Sequence, residues 1–359
     1  MKKTITIVLA VIGIISLMIA GFALEPAALA KEGEVKKDAI EWVGQAQMSA
    51  EYPNFAVMQR ICDKITAASK GRLKLTVEPP DAVCPAGEEF NAVNGSVIDF
   101  AFSNPRMWGE QFFPASELFD TRGGGMSPME KHLWFISGGG AELAQEMIDD
   151  YNVHIIPSGA YLLLTPELFL HSNTKIDEPS DLIDLNIRAV PDGLQILNNM
   201  GANATYLPSS EVCGAMESGE IDACEFSSPW GNWDLGLQEV ADYVYASGIR
   251  QSHHGFYFIV NQTLWNELPD DLKVIVQEVS EKEAIIGFDE LCQLDIEALA
   301  NFRDYPCAVE TLSPEIEEAF IKEAKAYHDE VAETDSFYAE VLRSLRAFEA
   351  IQRYAELCE

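Results

Sequence analysis

The chain is 359 residues long, 48% hydrophobic and 23% charged, and carries a formal net charge of −34. That length buries one large core or two of ordinary domain size. A field so negative repels nucleic acid and anionic lipid surfaces, which excludes polyanion binding, and the acidity itself reads as a solvated surface suited to salty surroundings.

At the N-terminus, Lys2 and Lys3 precede an apolar run from Ile5 to Leu24, which Glu25 and Pro26 break. Ala28-Leu29-Ala30 then fits a small-x-small cleavage site. Residues 1–30 therefore read as a signal peptide cleaved near Ala30. The competing reading is an uncleaved anchor, because the run is about long enough to span a bilayer. No cysteine follows the cleavage site, which argues against a lipoprotein, and no later stretch is apolar for long enough to cross a membrane.

Beyond the signal, helix and strand patterns alternate. Phe55, Met58, Ile61, Ile65 and Ala68 share one helical face that Gly71 closes, and Leu73, Leu75 and Val77 alternate as a strand. Further strands are expected at Ile98–Phe102, Val153–Ile156, Tyr161–Thr165, Ile187–Val190, Ala204–Leu207, Ala223–Phe226, Tyr243–Ala246 and Phe256–Val260. This alternation predicts α/β architecture with largely parallel sheets. Glu88, Ala92, Gly95 and Asp99 lead into Phe100-Ala101-Phe102; Glu211, Ala215, Gly219 and Asp222 lead into Ala223-Cys224-Glu225-Phe226. The Glu-to-Ala and Ala-to-Asp spacings match while the glycine slips by one. Two such helix-to-strand units suggest two similarly built lobes. From Asp270 to Phe302 an apolar series amid charges predicts one long helix with Pro269 at its start, and a second helix begins near Pro314. The tail stripe Phe337, Val341, Leu345, Phe348, Ile351 and Tyr354 fits either a helix packed on its own lobe or a dimerisation helix.

Little supports enzymatic chemistry. The chain has no GxSxG elbow, no HExxH and no GxxxxGK[ST]. In a strand, His253 and His254 point to opposite sides and share no metal. The glycine triplets Gly123–Gly125 and Gly138–Gly140 match no nucleotide-binding spacing and read as turns or hinges. The seven cysteines show no zinc-site spacing, and four of them sit in apolar patterns where a buried free thiol is ordinary. Arg188 stands out, because between His154 and Ser247 the only other Lys or Arg is Lys175. It lies near a strand end marked by Pro191, and its guanidinium is a rigid fork suited to a carboxylate, either a ligand's or an internal one. Glu225 and Phe226 end a second strand, with Trp230 and Trp233 just beyond. That cluster suits either a cleft at strand ends or lobe packing.

The same residues carry a resemblance. Leu182-Ile183-Asp184-Leu185-Asn186-Ile187-Arg188 resembles the D-L-x-G-L-K-x-R segment of the solute-binding proteins of tripartite ATP-independent periplasmic (TRAP) transporters. Met200-Gly201-Ala202, Leu207-Pro208, Glu211, Gly219, Ile221-Asp222-Ala223 and Glu225 continue it. Gly138–Leu143, Glu225–Pro229 and Tyr243–Gly248 are similar to the branch that captures 2-oxo and 2-hydroxy monocarboxylates. The resemblance implies a two-lobed periplasmic-binding-protein fold (type II-like) with a long connecting helix and a helical C-terminal extension. Lobe 1 is expected over 31–152 and about 252–290, lobe 2 over 153–251 and about 291–330, and a C-terminal, potentially dimerising helix over 331–359. It also implies a periplasmic carboxylate-capturing protein, not an enzyme, that serves a membrane permease, with Tyr161, Arg188, Glu225, Phe226 and Trp230 about the ligand. A capture protein feeding a sensor kinase and a secreted α/β hydrolase are the alternatives.

That branch places a sodium or calcium ion beside the ligand, on a Glu followed by an aromatic residue and on a glutamine of an earlier strand. Here Glu225 occupies the Glu position, Phe226 replaces the usual Trp, and Leu164 falls where the glutamine belongs. The substitution weakens a metal site and implies a bulkier cargo than pyruvate or lactate.

Overall fold

The computed structural model describes residues 39–157 and 162–352; the N-terminal stretch expected to be a signal peptide, Tyr161, Tyr354 and Cys358 lie outside them. In the first sheet, β1 (Ile40–Ala46), β2 (Leu73–Glu78) and β3 (Phe100–Ser103) run parallel in the order β2-β1-β3. Helix α1 (Pro53–Ala68) covers them with a face of Val57, Met58, Ile61, Cys62 and Ile65. That face packs on Trp42, Leu73, Leu75 and Val77. The long strand β11 (His254–Asn261) lies antiparallel to β3, and both β4 (Val153–Ile155) and β5 (Leu162–Leu164) pair antiparallel with it. β4 and β5, which the sequence reading put at the start of the second lobe, thus belong to the first sheet, because β11 offers them its free edge.

The second sheet has the order β12-β10-β6-β9-β7-β8. Its parallel part is β8 (Asn203–Thr205), β7 (Asn186–Arg188) and β9 (Ala223–Cys224). β6 (Leu170–Ser172) runs antiparallel between β9 and β10 (Tyr243–Ala246), so β10 points the same way as β9, and β12 (Ala308–Thr311) closes the edge parallel to β10. Both sheets are therefore mixed. The chain crosses between them at 165–169 and again between β10 and β11.

The internal echo is structural. Helix α2 (Glu89–Asn94) leads to β3 as α7 (Ser209–Ser218) leads to β9. In both, the two amides before the aspartate turn back to one alanine carbonyl, Val97 and Ile98 to Ala92 O, Glu220 and Ile221 to Ala215 O. Asp99 then exchanges backbone and side-chain bonds with Val43 on β1, as Asp222 does with Asn186 on β7. The left-handed residue of the turn is Ser96 (φ 56°) in the first copy and Gly219 (φ 71°) in the second. Each lies three residues before its aspartate, so the turn is conserved in position even though the glycine slips.

Helix α10 (Asp270–Asp304) has 35 residues, about 52 Å at 1.5 Å each, and packs on α1, on β5 and on α8 (Pro229–Leu235) of the second lobe. Helix α11 (Pro314–Thr334) lies on α6 (Pro191–Asn199) of the second lobe, while α12 (Ser336–Gln352) returns to the first. There α12 meets α3 (Ala115–Asp120), α4 (Pro128–Ser137) and α5 (Gly140–Met147). Its described stripe is committed to that lobe: Tyr338, Val341, Leu342 and Leu345 are buried, Phe337 and Phe348 pack at the edge, and Ile351 is exposed. An Arg122–Glu349 ion pair fixes the same face. The stripe that suggested a dimerisation helix therefore covers the chain's own core. Cys62, Cys84, Cys213, Cys224, Cys292 and Cys307 are all free thiols.

Candidate functional site

Arg188 is the last residue of β7, and the parallel register with β9 sets it beside Cys224 and Glu225. Glu225 N–H donates to Arg188 O, fixing the two strand ends together. The guanidinium is 4% exposed. Its Nε donates to Leu207 O at 3.1 Å and its Nη1 to Glu225 O at 2.8 Å and Glu225 Oε1 at 3.1 Å. The rings of Phe226 and Tyr206 lie 5.6 and 5.8 Å from it, within reach of a cation–π attraction.

Glu225 is fully buried and serves two guanidiniums, because Arg250 Nη1 stands 2.8 Å from its Oε2. Arg250, on the second crossover, also reaches Glu167 Oε2 on the first at 2.5 Å, and its Nη2 and Nε donate to Leu168 O and Phe169 O. Glu167 N–H donates back to Gln251 O. Arg188, Glu225, Arg250 and Glu167 thus form one alternating buried chain of charges. Burial and the neighbouring Glu225 push the Glu167 carboxyl up, against Arg250 and His254. Charges taken out of water need such compensation.

Glu167 opens onto a cavity between the lobes. Tyr52 and Asn54 line it from the start of α1, Leu164 and Thr165 from β5, Ser227, Ser228 and Trp230 from the start of α8, Leu291 and Asp295 from α10, and His254 from β11. The volume open to the centre of a water molecule is about 80 Å³. Trp230 N–H donates to Asp295 Oδ1 at 2.7 Å, and the Trp230 ring meets Tyr52 edge to face at 5.5 Å. Burial raises the Asp295 carboxyl, against hydrogen bonds from Thr165, Trp230 N–H and Ser228.

His254 is aimed by a second buried group, its Nδ1 standing 2.8 Å from Asp120 Oδ1. Asn104 Nδ2 donates to the same oxygen at 2.6 Å, and Arg106 Nη2 pairs with Oδ2 at 2.7 Å. Burial alone would push Asp120 up; the facing His254 and Arg106 outweigh it and hold the carboxyl well below the usual carboxylate range. His253 points away and lies 3.0 Å from Met126 O through its Nδ1.

Of the residues singled out from sequence, Arg188, Glu225 and Phe226 come together at the strand ends, Trp230 and Leu164 line the cavity, and Tyr161 lies outside the described residues. Arg250, Glu167 and the Asp120–His254 pair were not singled out. A count of basic residues carried three positions further, from Ser247 to Arg250, would have found the second buried guanidinium.

The model of the DctP family, bacterial extracellular solute-binding protein family 7, matches residues 44–335. The chain belongs to this family. A monocarboxylate 2-oxoacid-binding periplasmic protein of Nostoc sp. is 24% identical over 307 residues, covering 84% of this chain and 83% of the relative. Among solved structures, a TRAP periplasmic solute-binding protein of Colwellia psychrerythraea with bound calcium and pyruvate superposes with a TM-score of 0.79 at 25% identity, over 89% of this chain and 97% of that one. Its counterpart from Pseudoalteromonas atlantica, with bound sodium and pyruvate, gives a TM-score of 0.77 at 23% identity and the same coverage. The two-lobed fold is thus that of the TRAP solute-binding proteins, and the family consists of binding proteins.

Proposed function

We propose that this chain is exported to the periplasm, captures a small 2-oxo or 2-hydroxy monocarboxylate between its lobes, and delivers it to a TRAP-type membrane permease. The observation that carries the reading is Arg188, a buried guanidinium at the carboxyl end of β7, held by Glu225 and by Leu207 O and flanked by two aromatic rings. Ligands of α/β sheets bind outside strand carboxyl ends, and Ser227, Ser228 and Trp230 enter the cavity from that end of the second lobe. Arg188 does not itself line the cavity; the chain Glu225–Arg250–Glu167 joins it to the lining, and on this reading it supplies charge and orientation to the carboxylate. Thr165, Ser227, Ser228 and His254 offer hydrogen bonds to the second oxygen, and Trp230 and Tyr52 exclude water. Closure about the two crossovers then presents one joined surface to the permease.

The test is thermal and chemical unfolding of residues 31–359 against a panel of organic acids. An acid that binds only the folded state at a hundred times its dissociation constant adds about 2.7 kcal/mol. Arg188→Ala abolishes that gain while the protein remains folded; an unchanged gain in the variant would remove Arg188 from the site.

A further inference from the structure

The charge chain around Glu225 disagrees with a metal-assisted site. In structures of the same fold a calcium or sodium ion accompanies pyruvate, and the family pattern assigns Glu225 as a ligand to such an ion. In this chain both oxygens of Glu225 already face cations, Arg188 Nη1 at 3.1 Å and Arg250 Nη1 at 2.8 Å. An ion placed on this carboxylate would stand directly against two guanidiniums in a buried, weakly screened setting. The remaining donors do not fit a hard cation either. Calcium asks for six to eight oxygens, whereas at Glu225 Leu164 brings none from its side chain and Glu167 is held by Arg250; the oxygens of Thr165, Ser227, Ser228 and Asp295 line the cavity, of which Glu225 is not a lining residue. Among the described residues no group of three or more His, Cys, Asp or Glu side chains gathers to hold a metal.

We infer that Arg250 takes the place of the ion: the site carries a fixed, covalently attached cation on Glu225 and captures its carboxylate independently of sodium and calcium. The guanidinium is well suited to the part. It is 2% exposed and always protonated, and it is anchored to both crossovers through Glu167, Leu168 O and Phe169 O, so its charge stays in position as the lobes move. A guanidinium also forks between Glu225 and Glu167, bridging two carboxylates as a multidentate ion does.

This inference rests on the capture reading, and the experiment separates the two. Calorimetric titration with pyruvate and the other acids of the panel is run in chelator-treated, sodium-free buffer, then with added calcium or sodium; calcium alone is titrated into the acid-free protein. The expected result is the same affinity within about twofold in every buffer, and no calcium binding without acid. Affinity that rises about tenfold or more with either ion, or calcium binding by the acid-free protein, overturns the metal-free site while leaving capture intact. No binding of any acid with or without ions overturns the capture reading itself, and this inference with it. Arg250→Gln weakens binding by at least about tenfold and Arg250→Lys by less; wild-type affinity in a folded Arg250→Gln protein also overturns the inference. Should Arg250→Gln fail to fold, the ion titrations on the wild-type protein decide alone.

Discussion

Replacing Glu225 by Gln removes one charge from the middle of the buried chain while keeping the side chain's shape. In the native protein the carboxylate is fully buried and balances Arg188 at 3.1 Å and Arg250 at 2.8 Å. Removing one partner of a buried ion pair costs about 3–5 kcal/mol, because the other charge remains desolvated. Two features pull this case towards the lower end. Arg188 keeps Leu207 O and Glu225 O, and Arg250 keeps Glu167, Leu168 O and Phe169 O. The expected loss is therefore ~3 kcal/mol, a large share of the 5–15 kcal/mol typical of a domain. Urea unfolding of the ligand-free protein at pH 7 measures it as a shift in midpoint at unchanged slope. Glu167→Gln should cost less, since burial and Glu225 already disfavour ionisation there. A loss below about 1 kcal/mol for Glu225→Gln, or a larger one for Glu167→Gln, would refute the view that Glu225 is the hub of the charge chain.

Other tests reach other parts of the molecule. Gly287→Ala in α10 should destabilise by about 1–3 kcal/mol despite alanine's better helix propensity. The added Cβ would stand 2.6 Å from Val57 Cγ1, where α10 crosses α1. Asp120 is held below its ordinary value of 3.8. Its pairing thus contributes stability that is present above that pH and lost as pH falls below it, so Asp120→Asn should flatten the acid limb of the stability curve. Leu345→Ala, at 1% exposure under α12, should cost about 2–5 kcal/mol in denaturant unfolding without changing the mass measured by light scattering. A change in oligomeric state would return the tail to the dimer reading. In the native protein Cys62, Cys84 and Cys224 should react only slowly with a thiol reagent, read by mass spectrometry of labelled peptides: Cys62 and Cys224 are buried, and burial together with Glu89 pushes Cys84 up to about 11.

Periodicity made the long elements legible. The apolar series amid charges marked α10, and Pro314 opened α11 as expected. The paired aspartates and the left-handed turns were legible as an echo because the same backbone problem, stopping a helix and entering a parallel strand, was solved twice. The short strands β4, β5, β7, β8 and β9 were legible from their apolar runs, but three other strands were not. β6 is buried, yet His171 and Ser172 give it a polar sequence, and β12 is an edge strand of four residues. β1 was missed although it is the central strand of the first parallel set. Arg188 was visible because it stood alone among acids in a strand pattern. Arg250 and Glu167 were not, because each is an ordinary charged residue in a connecting segment, and only the folded chain sets them side by side across 83 positions.

The several passages of chain between the lobes also have a kinematic consequence. Two bodies joined at one flexible point can tilt in any direction and twist. Here the crossovers at 165–169 and 249–253 run side by side, tied by Glu167, Gln251 and Arg250, so they act as one axle. Helix α10 touches both bodies as a single rod, and the turn between α11 and α12 hands the chain from one body to the other. Such a linkage leaves one rotation free and suppresses the rest. Distances measured between labels on the two lobes should then change in fixed proportion to one another, tracing a line rather than filling a cone.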